Sequence, residues 1–350
     1  MKKIKLFLGA YVNSSNAQNL NCLALATHLN KDLFEVTTLS LYSEPKINLK
    51  GVKIQNCPWP HQLSVYIMFF WNILKADVVY LPKGELLAFN SFICRFLNKK
   101  SFTTIEGIFD QRNTQNAISV SGPRFIKYYH RYKKRYSITP FLKAYNLQKH
   151  ALKTESQILY LGTETKRFYY KDKTNFDLKK LIMIGNDLVL KGVEHYFELA
   201  KDFKSLEFHL VGSGNDKIKV EKIIEKQNLK NVIYHGQLSQ DQIAHLLKEM
   251  QLHLFPSRSE GFPKVILETA CAGVPSMVYD DYGASDWLKH NHNGFIVHTF
   301  EQMKDSLFEL LEHPKTLEKV SKNAIQFGLS YDWSNKIKPW EKVILELNEN

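Results

Sequence analysis

Apolar residues along this chain fall into short runs of roughly four to eight, separated by stretches in which they recur at helical spacing. The first half reads as strands in KIKLFLGAY, FEVTTLSLY, ADVVYLP, FTTIEG and QILYLG, with helices through CLALATHLN, SVYIMFFWNILKA and LLAFNSFICRFLNKK. In the second half the strands are KLIMIG, LEFHLVG, VIYHG, LHLFPS and PSMVYD, and the helices include GVEHYFELAKDF and KIKVEKIIEKQ. Ser239 with Gln242 ahead of IAHLL matches a capping box and fixes one helix start. Strands alternating with helices predict a parallel sheet covered by helices, and the alternation occurs twice. The periodicity lapses in the polar stretch TKRFYYKDKTNFDLK, which marks a seam. The expected class is therefore α/β, with two Rossmann-like parallel-sheet domains facing across a cleft and ligands at the carboxyl ends of the strands.

At 350 residues, 44% of them hydrophobic, the chain is long enough for two cores. Cys22, Cys57, Cys94 and Cys271 show neither C-x-x-C nor zinc spacing, so reduced cytosolic thiols are expected. The start, MKKIKLFLGAYVNSSN, reads as a first strand rather than a signal peptide, because its apolar run is short and breaks at Asn13. The most apolar window, LSVYIMFFWNIL, has about twelve residues against the roughly 20 that a spanning helix needs. The net charge of +12 is unevenly placed: Asp110 to Glu155 encloses no acid and ten Lys or Arg.

The segment FPSRSEGFPKVILETACAGVP, residues 255–275, carries the most chemistry. LHLFPS reads as a strand, Pro263 suits the first position of a helix through KVILETACA, and Gly273 and Pro275 end it. Backbone N–H groups around Gly261, Phe262, Lys264 and Val265 then gather at a positive helix end, a site for phosphate. Glu268 could clamp the vicinal hydroxyls of a ribose and Glu260 those of a sugar, since a carboxylate accepts several hydrogen bonds. Phosphate, ribose and sugar together describe a nucleotide sugar. Two other readings compete: solvated glutamates without a role, and a glycosidase carboxylate pair. The helix end favours the anion and works against the raised pKa that a glycosidase acid requires.

Pro256, Ser257, Glu260, Gly261, Phe262, Leu267, Glu268, Ala272, Gly273 and Pro275 together resemble the signature of family 4 retaining glycosyltransferases of the GT-B fold. IGNDLVLKG, LVGSG, VIYHGQLS, NGFIV and YDW continue the resemblance through the second half, while the first half resembles the family mainly by layout. GSG on its own would be only a tight turn. The resemblance implies an N-terminal acceptor-side domain over 1–168 and a donor-binding domain over 169–334, with a helix over about 335–350 packing back on the first. It implies Lys191 on the diphosphate, Glu268 on the ribose, and Glu260 with the backbone of Gly261, Phe262, Pro263 and Lys264 on the transferred sugar, with Val265 also among the donor-binding residues. The base would lie near Gly236 and Leu238. The leaving diphosphate would help to deprotonate the acceptor, so the protein's share is positioning and charge neutralisation. With no D-x-D triplet, a metal-independent enzyme without cofactor is expected. Three candidate site residues depart from the family pattern: Asn186, expected at the donor, stands where an Arg is usual; Gly9, also expected at the donor, is not followed by a glycine-rich loop; and Glu106, expected to be catalytic, replaces a frequent His. Arg258 could compensate for Asn186 or be structural.

Within 124–153, Arg and Lys interleave with Phe125, Tyr128, Tyr129, Tyr132, Tyr136, Phe141 and Tyr145. That mixture suits nucleic acid, an anionic membrane surface, or an ordinary helix with buried aromatics. No nucleic-acid motif is present, and family acceptors are often lipid-linked, so the resemblance favours the membrane. His130, His150 and His195 lack ligand spacing. The expected protein is a cytoplasmic, peripheral transferase that moves a sugar from a UDP- or GDP-sugar to a saccharide or lipid-linked acceptor, in bacterial surface polysaccharide synthesis. The alternatives are an epimerase or hydrolase on the same fold, or a non-catalytic basic protein on a transferase scaffold.

Overall fold

The computed structural model describes residues 2–349 apart from 15, 83, 85, 172 and 213–216. Ser213 and Gly214 of the GSG run therefore lie outside the described residues. The chain forms two compact units, 1–161 with 333–350, and 162–332.

In the first unit six parallel strands run β1 (Ile4–Tyr11), β2 (Phe34–Leu41), β3 (Val52–Cys57), β4 (Val78–Tyr80), β5 (Lys100–Ile105) and β6 (Lys134–Ser137). Their order across the sheet is β3-β2-β1-β4-β5-β6. Two of these strands were not legible by hydrophobic pattern. VKIQNC and KRYS are the sheet's edges, where a strand is paired on one side only and polar residues are tolerated. Conversely, QILYLG is not a strand: it touches the β6 edge through the single bridge between Ser137 and Ile158. Helices 61–75 and 87–96 cover one face, their inward residues Val65, Phe69, Ile73, Leu87, Ile93 and Cys94 joining a core with Phe7, Tyr11 and Val79.

The basic stretch 124–153 is not one helix but a short helix, an edge strand and a second helix, Pro140–His150. Phe125, Tyr129 and Tyr132 belong to the hydrophobic core, and Tyr136 is buried too. Four of the seven aromatics that would have entered a membrane interface from this stretch are thus committed to the fold, and Tyr128, Phe141 and Tyr145 are half-buried.

The last helix, Trp333–Glu349, belongs to the first unit. Trp340 is fully buried against Tyr80, with ring centroids 5.4 Å apart, and its indole N–H donates to the Tyr160 carbonyl at 3.1 Å. The backbone N–H of Asn30 donates to Glu341 at 2.8 Å. The division between units falls at Leu161, a few residues before 168.

The second unit repeats the design with β7 (Lys180–Ile184), β8 (Glu207–Val211), β9 (Val232–Gly236), β10 (Leu252–Phe255), β11 (Ser276–Tyr279) and β12 (Phe295–Val297). The order is β12-β11-β10-β7-β8-β9, all parallel. Leu181, Met183, Phe208, Leu210, Leu252 and Leu254 face one core, and Ile182, Ile184 and Val211 face the other. The capping box at Ser239 is formed in both directions. From β7 the chain winds outward through β8 and β9, then returns to place β10 on the other side of β7. The loops leaving β7 and β10 therefore diverge at a topological switch point, where α/β sheets bind ligands. Among the described residues, no helix is long and apolar enough to cross a membrane.

Candidate functional site

Two loops from that switch point build the site. The loop after β7 holds Gly185 to Gly192, and its bonds from the Lys191 N–H to Asp187 and from the Val193 N–H to Leu188 fold it into a compact turn. Gly192 has φ +80°, and a Cβ there would stand 2.4 Å from the Pro256 carbonyl oxygen. Only glycine permits both that conformation and that approach, and the approach locks the Lys191 loop onto the loop after β10. Lys191 then passes beside Gly185, where a Cβ would come within 2.9 Å of the lysine side chain.

On the second loop, Glu260 is the meeting point. Its Oε1 accepts from Lys191 Nζ at 2.5 Å and from Ser257 Oγ at 2.5 Å, and its side chain is 9% exposed against 25% for that of Lys191. Lys191 Nζ also sits 5.8 Å from the centroid of the Phe255 ring. Two groups that sequence reasoning assigns to sugar and diphosphate are thus partners of each other.

The helix Lys264–Cys271 follows. Pro263 is its cap residue rather than its first helical residue, and supplies no side-chain hydrogen bond; the first turn contains no acid. The positive helix end is accordingly left uncompensated by carboxylates of its own first turn, as an anion site requires. Glu268, one turn further on, is partly buried. Burial pushes its carboxyl above the ordinary range, against the opposing pull of the Lys264 and Arg167 charges. The sequence reading expected the helix end to hold such a carboxyl low; at Glu268 desolvation is the largest effect and the shift is upward.

The remaining expected residues fall in different roles. Phe262 is buried, its ring 5.3 Å from Trp287 and 5.7 Å from Tyr331, so it anchors the turn from beneath. Leu238 and Val265 pack against one core cluster, which brings the loop after β9 to the helix 264–271. Gly236, at φ +66°, accepts from the Gly212 N–H through its carbonyl at 2.9 Å. Asn186 is exposed. Arg258 pairs with Asp281 at 3.0 Å and lies 4.0 Å from the centroid of the Tyr279 ring. Those two residues and Arg167 were missed as site members because each acts through a partner far along the chain, and Ser257 because nothing in the local pattern marks its hydroxyl as a donor to Glu260 three residues on. Tyr282, likewise missed, has a buried hydroxyl with no hydrogen-bond partner among the described residues.

Glu106 and Gly9 belong to the first unit. At the end of β5, Glu106 accepts from Tyr80 OH at 3.1 Å, Thr104 Oγ1 at 2.7 Å and Asn21 Nδ2 at 2.9 Å. Three donors define both oxygens of this carboxylate. Gly9 lies inside β1, where a Cβ would meet Leu81 at 2.4 Å and Phe69 at 2.9 Å. Its place is in the core and not on a ligand-facing loop.

Residues 164–327 match the family of glycosyl transferases group 1. The second unit is a glycosyl transferases group 1 domain. Among curated proteins, this chain is 31% identical over 178 residues to the N,N'-diacetylbacillosaminyl-diphospho-undecaprenol alpha-1,3-N-acetylgalactosaminyltransferase of Campylobacter jejuni. That similarity takes in 50% of this chain and 46% of the relative. The chain spans about half the length of the first curated relatives it matches. Solved structures are similar throughout: sucrose-phosphate synthase of Thermosynechococcus elongatus gives a TM-score of 0.81 at 14% identity, covering 99% of each chain. HepE of Anabaena, in complex with UDP and glucose, gives 0.79 at 13% identity, covering 98% of this chain and 100% of that one. The fold, two parallel six-stranded sheets with flanking helices, is GT-B.

Proposed function

We propose that the chain is a retaining glycosyltransferase that moves a hexosyl or N-acetylhexosaminyl group from a UDP- or GDP-sugar to a saccharide or lipid-linked acceptor, without a metal, in bacterial surface polysaccharide synthesis at the cytoplasmic face of the membrane. The observation that carries this reading is the convergence of Lys191, Glu260 and the helix end at Lys264 on the β7/β10 switch point. The helix end and Lys191 would neutralise the diphosphate as charge develops on it. Glu268 would accept from the ribose hydroxyls and Glu260 from the sugar, and Glu106 would serve the acceptor.

The relatives lend support by what they are. HepE was solved with UDP and glucose. The name of the Campylobacter relative specifies an undecaprenol-linked acceptor and an alpha product. A panel of UDP- and GDP-sugars tested for thermal stabilisation checks the reading, because a bound donor raises apparent stability by mass action. The expected result is stabilisation by one nucleotide class that Glu268→Ala abolishes. Unchanged affinity in that variant would remove the ribose assignment, and sugar release without any acceptor would favour a hydrolase instead.

A further inference from the structure

The helix His61–Lys75 is apolar on both sides. Val65, Phe69 and Ile73 face the core, whereas Leu63, Ile67 and Trp71, spaced by four, remain exposed, Ile67 at 57% and Trp71 at 48%. Tyr66, Phe70 and Leu74 form a second exposed row beside them, and Trp59 just ahead of the helix is 80% exposed. A helix that is hydrophobic all round is ordinarily covered all round. The exposed surface continues onto the neighbouring helix Leu87–Phe96. Tyr66 meets Phe89 with ring centroids 4.9 Å apart, and from Phe89 a stripe at helical spacing leads to Phe92 and Phe96, exposed at 54% and 75%.

Charge decides what covers this face. Residues 45–76 and 86–105 contain no acid. Lys75 Nζ lies 4.4 Å from the centroid of the Trp71 ring, and Lys99 Nζ donates to the carbonyls of Leu74 and Ala76 at 2.7 and 2.8 Å. The C-terminal ends of the two helices are thus drawn together, with exposed Arg95 in the last turn of the second. On the other side of helix 87–96, the segment 124–131 packs against it: Arg131 reaches the Ala88 carbonyl at 3.5 Å, and Arg124 and Lys127 are exposed. A second copy bound through the same face would set these cations against their own counterparts. An aromatic face bordered mainly by cations, with exposed Asp77 just past the first helix, suits the headgroup region of an anionic bilayer.

We infer that the exposed face of helices 61–75 and 87–96, with Lys75, Arg95, Arg124 and Lys127 at its border, is a docking surface for an anionic lipid bilayer. The inference rests on the proposed function only for the protein's place at a membrane, and needs no catalytic step. The aromatics come from helices 61–75 and 87–96, and the basic stretch 124–153 supplies charge.

The test is sedimentation of the full chain with vesicles of phosphatidylcholine alone, and of phosphatidylcholine and phosphatidylglycerol in equal parts. Binding to the second and little to the first is expected, weakening as salt is raised. Ile67→Gln with Trp71→Gln should lower partitioning by about tenfold or more, and Arg124→Gln with Lys127→Gln by about tenfold on anionic vesicles only. Both pairs are at the surface, so thermal midpoints should stay close to that of the unaltered chain. Absence of binding to anionic vesicles, or unchanged partitioning of the Ile67/Trp71 variant, overturns the inference. So does self-association in lipid-free solution that this same variant abolishes, since the occupant is then a second copy. Nucleotide-sugar stabilisation, read on the same samples, reports on the donor site separately: vesicle binding without it counts against the proposed activity alone.

Discussion

Lys191 Nζ lies 2.5 Å from Glu260 Oε1, joining residues 69 positions apart into one pair on two loops of the group 1 domain. Removing one member of a largely desolvated pair leaves the other charge uncompensated. Lys191→Met alone should therefore lower the thermal midpoint more than Lys191→Met combined with Glu260→Gln, by a coupling of about 1–2 kcal/mol. Nucleotide affinity should fall in both, by roughly tenfold or more, as a charged hydrogen bond to phosphate is lost. Additive midpoints would show that the pair contributes nothing of its own.

Glu268 makes a second prediction, with a definite sign. Burial raises its folded pKa above the ordinary 4.5, so the folded chain binds this proton more tightly than the unfolded one. The stabilisation is present below pH 4.5 and is lost as pH rises through the raised folded value. At neutral pH the charged carboxylate consequently costs stability. Glu268→Gln should raise the thermal midpoint of the unliganded protein there, with the advantage shrinking toward pH 4.5, while nucleotide affinity falls by about tenfold. A midpoint that drops at neutral pH would mean that the glutamate is held for the fold and not for a ligand.

These two cases mark how far the sequence could be read. The strands at the centre of each sheet are buried on both faces and announce themselves as apolar runs. The edges VKIQNC and KRYS do not, and QILYLG looks like a strand yet finds no continuous partner. The helix start at Pro263 was legible because proline and glycine punctuate it. Which side chains meet was not: Lys191 with Glu260 across the β7/β10 switch, Asp281 with Arg258, and Arg167 near Glu268 are all set by the fold. Gly9 misled for a related reason, since a glycine near the end of a first strand reads as a ligand loop until Leu81 and Phe69 are seen to fill the space above it.

Gly192 offers a test of the loop closure. Its φ of +80° and the 2.4 Å approach to the Pro256 carbonyl leave an alanine no unstrained position. Gly192→Ala should cost about 1–3 kcal/mol in thermal or urea unfolding, and should weaken nucleotide binding by displacing Lys191 from the loop after β10. Unfolding free energies within about 0.5 kcal/mol of the parent would show that the two loops are not locked at this point.

The departure at Asn186 can be turned into a gain. It is exposed in the loop that carries Lys191, where the family resemblance implies an arginine beside the diphosphate. A guanidinium there can bind phosphate oxygens bidentately, which an amide cannot match. Arg258 is a poor substitute, because Asp281 at 3.0 Å and the Tyr279 ring already hold it. Asn186→Arg should therefore tighten UDP or GDP binding by roughly fivefold to fiftyfold, about 1–2.3 kcal/mol, with a steeper salt dependence than the parent. Arg258→Gln should change that affinity by less than about twofold. If instead Arg258→Gln abolishes binding and Asn186→Arg leaves it unchanged, Arg258 exchanges Asp281 for the diphosphate on binding, and the charge missing at position 186 is supplied from the loop after β10.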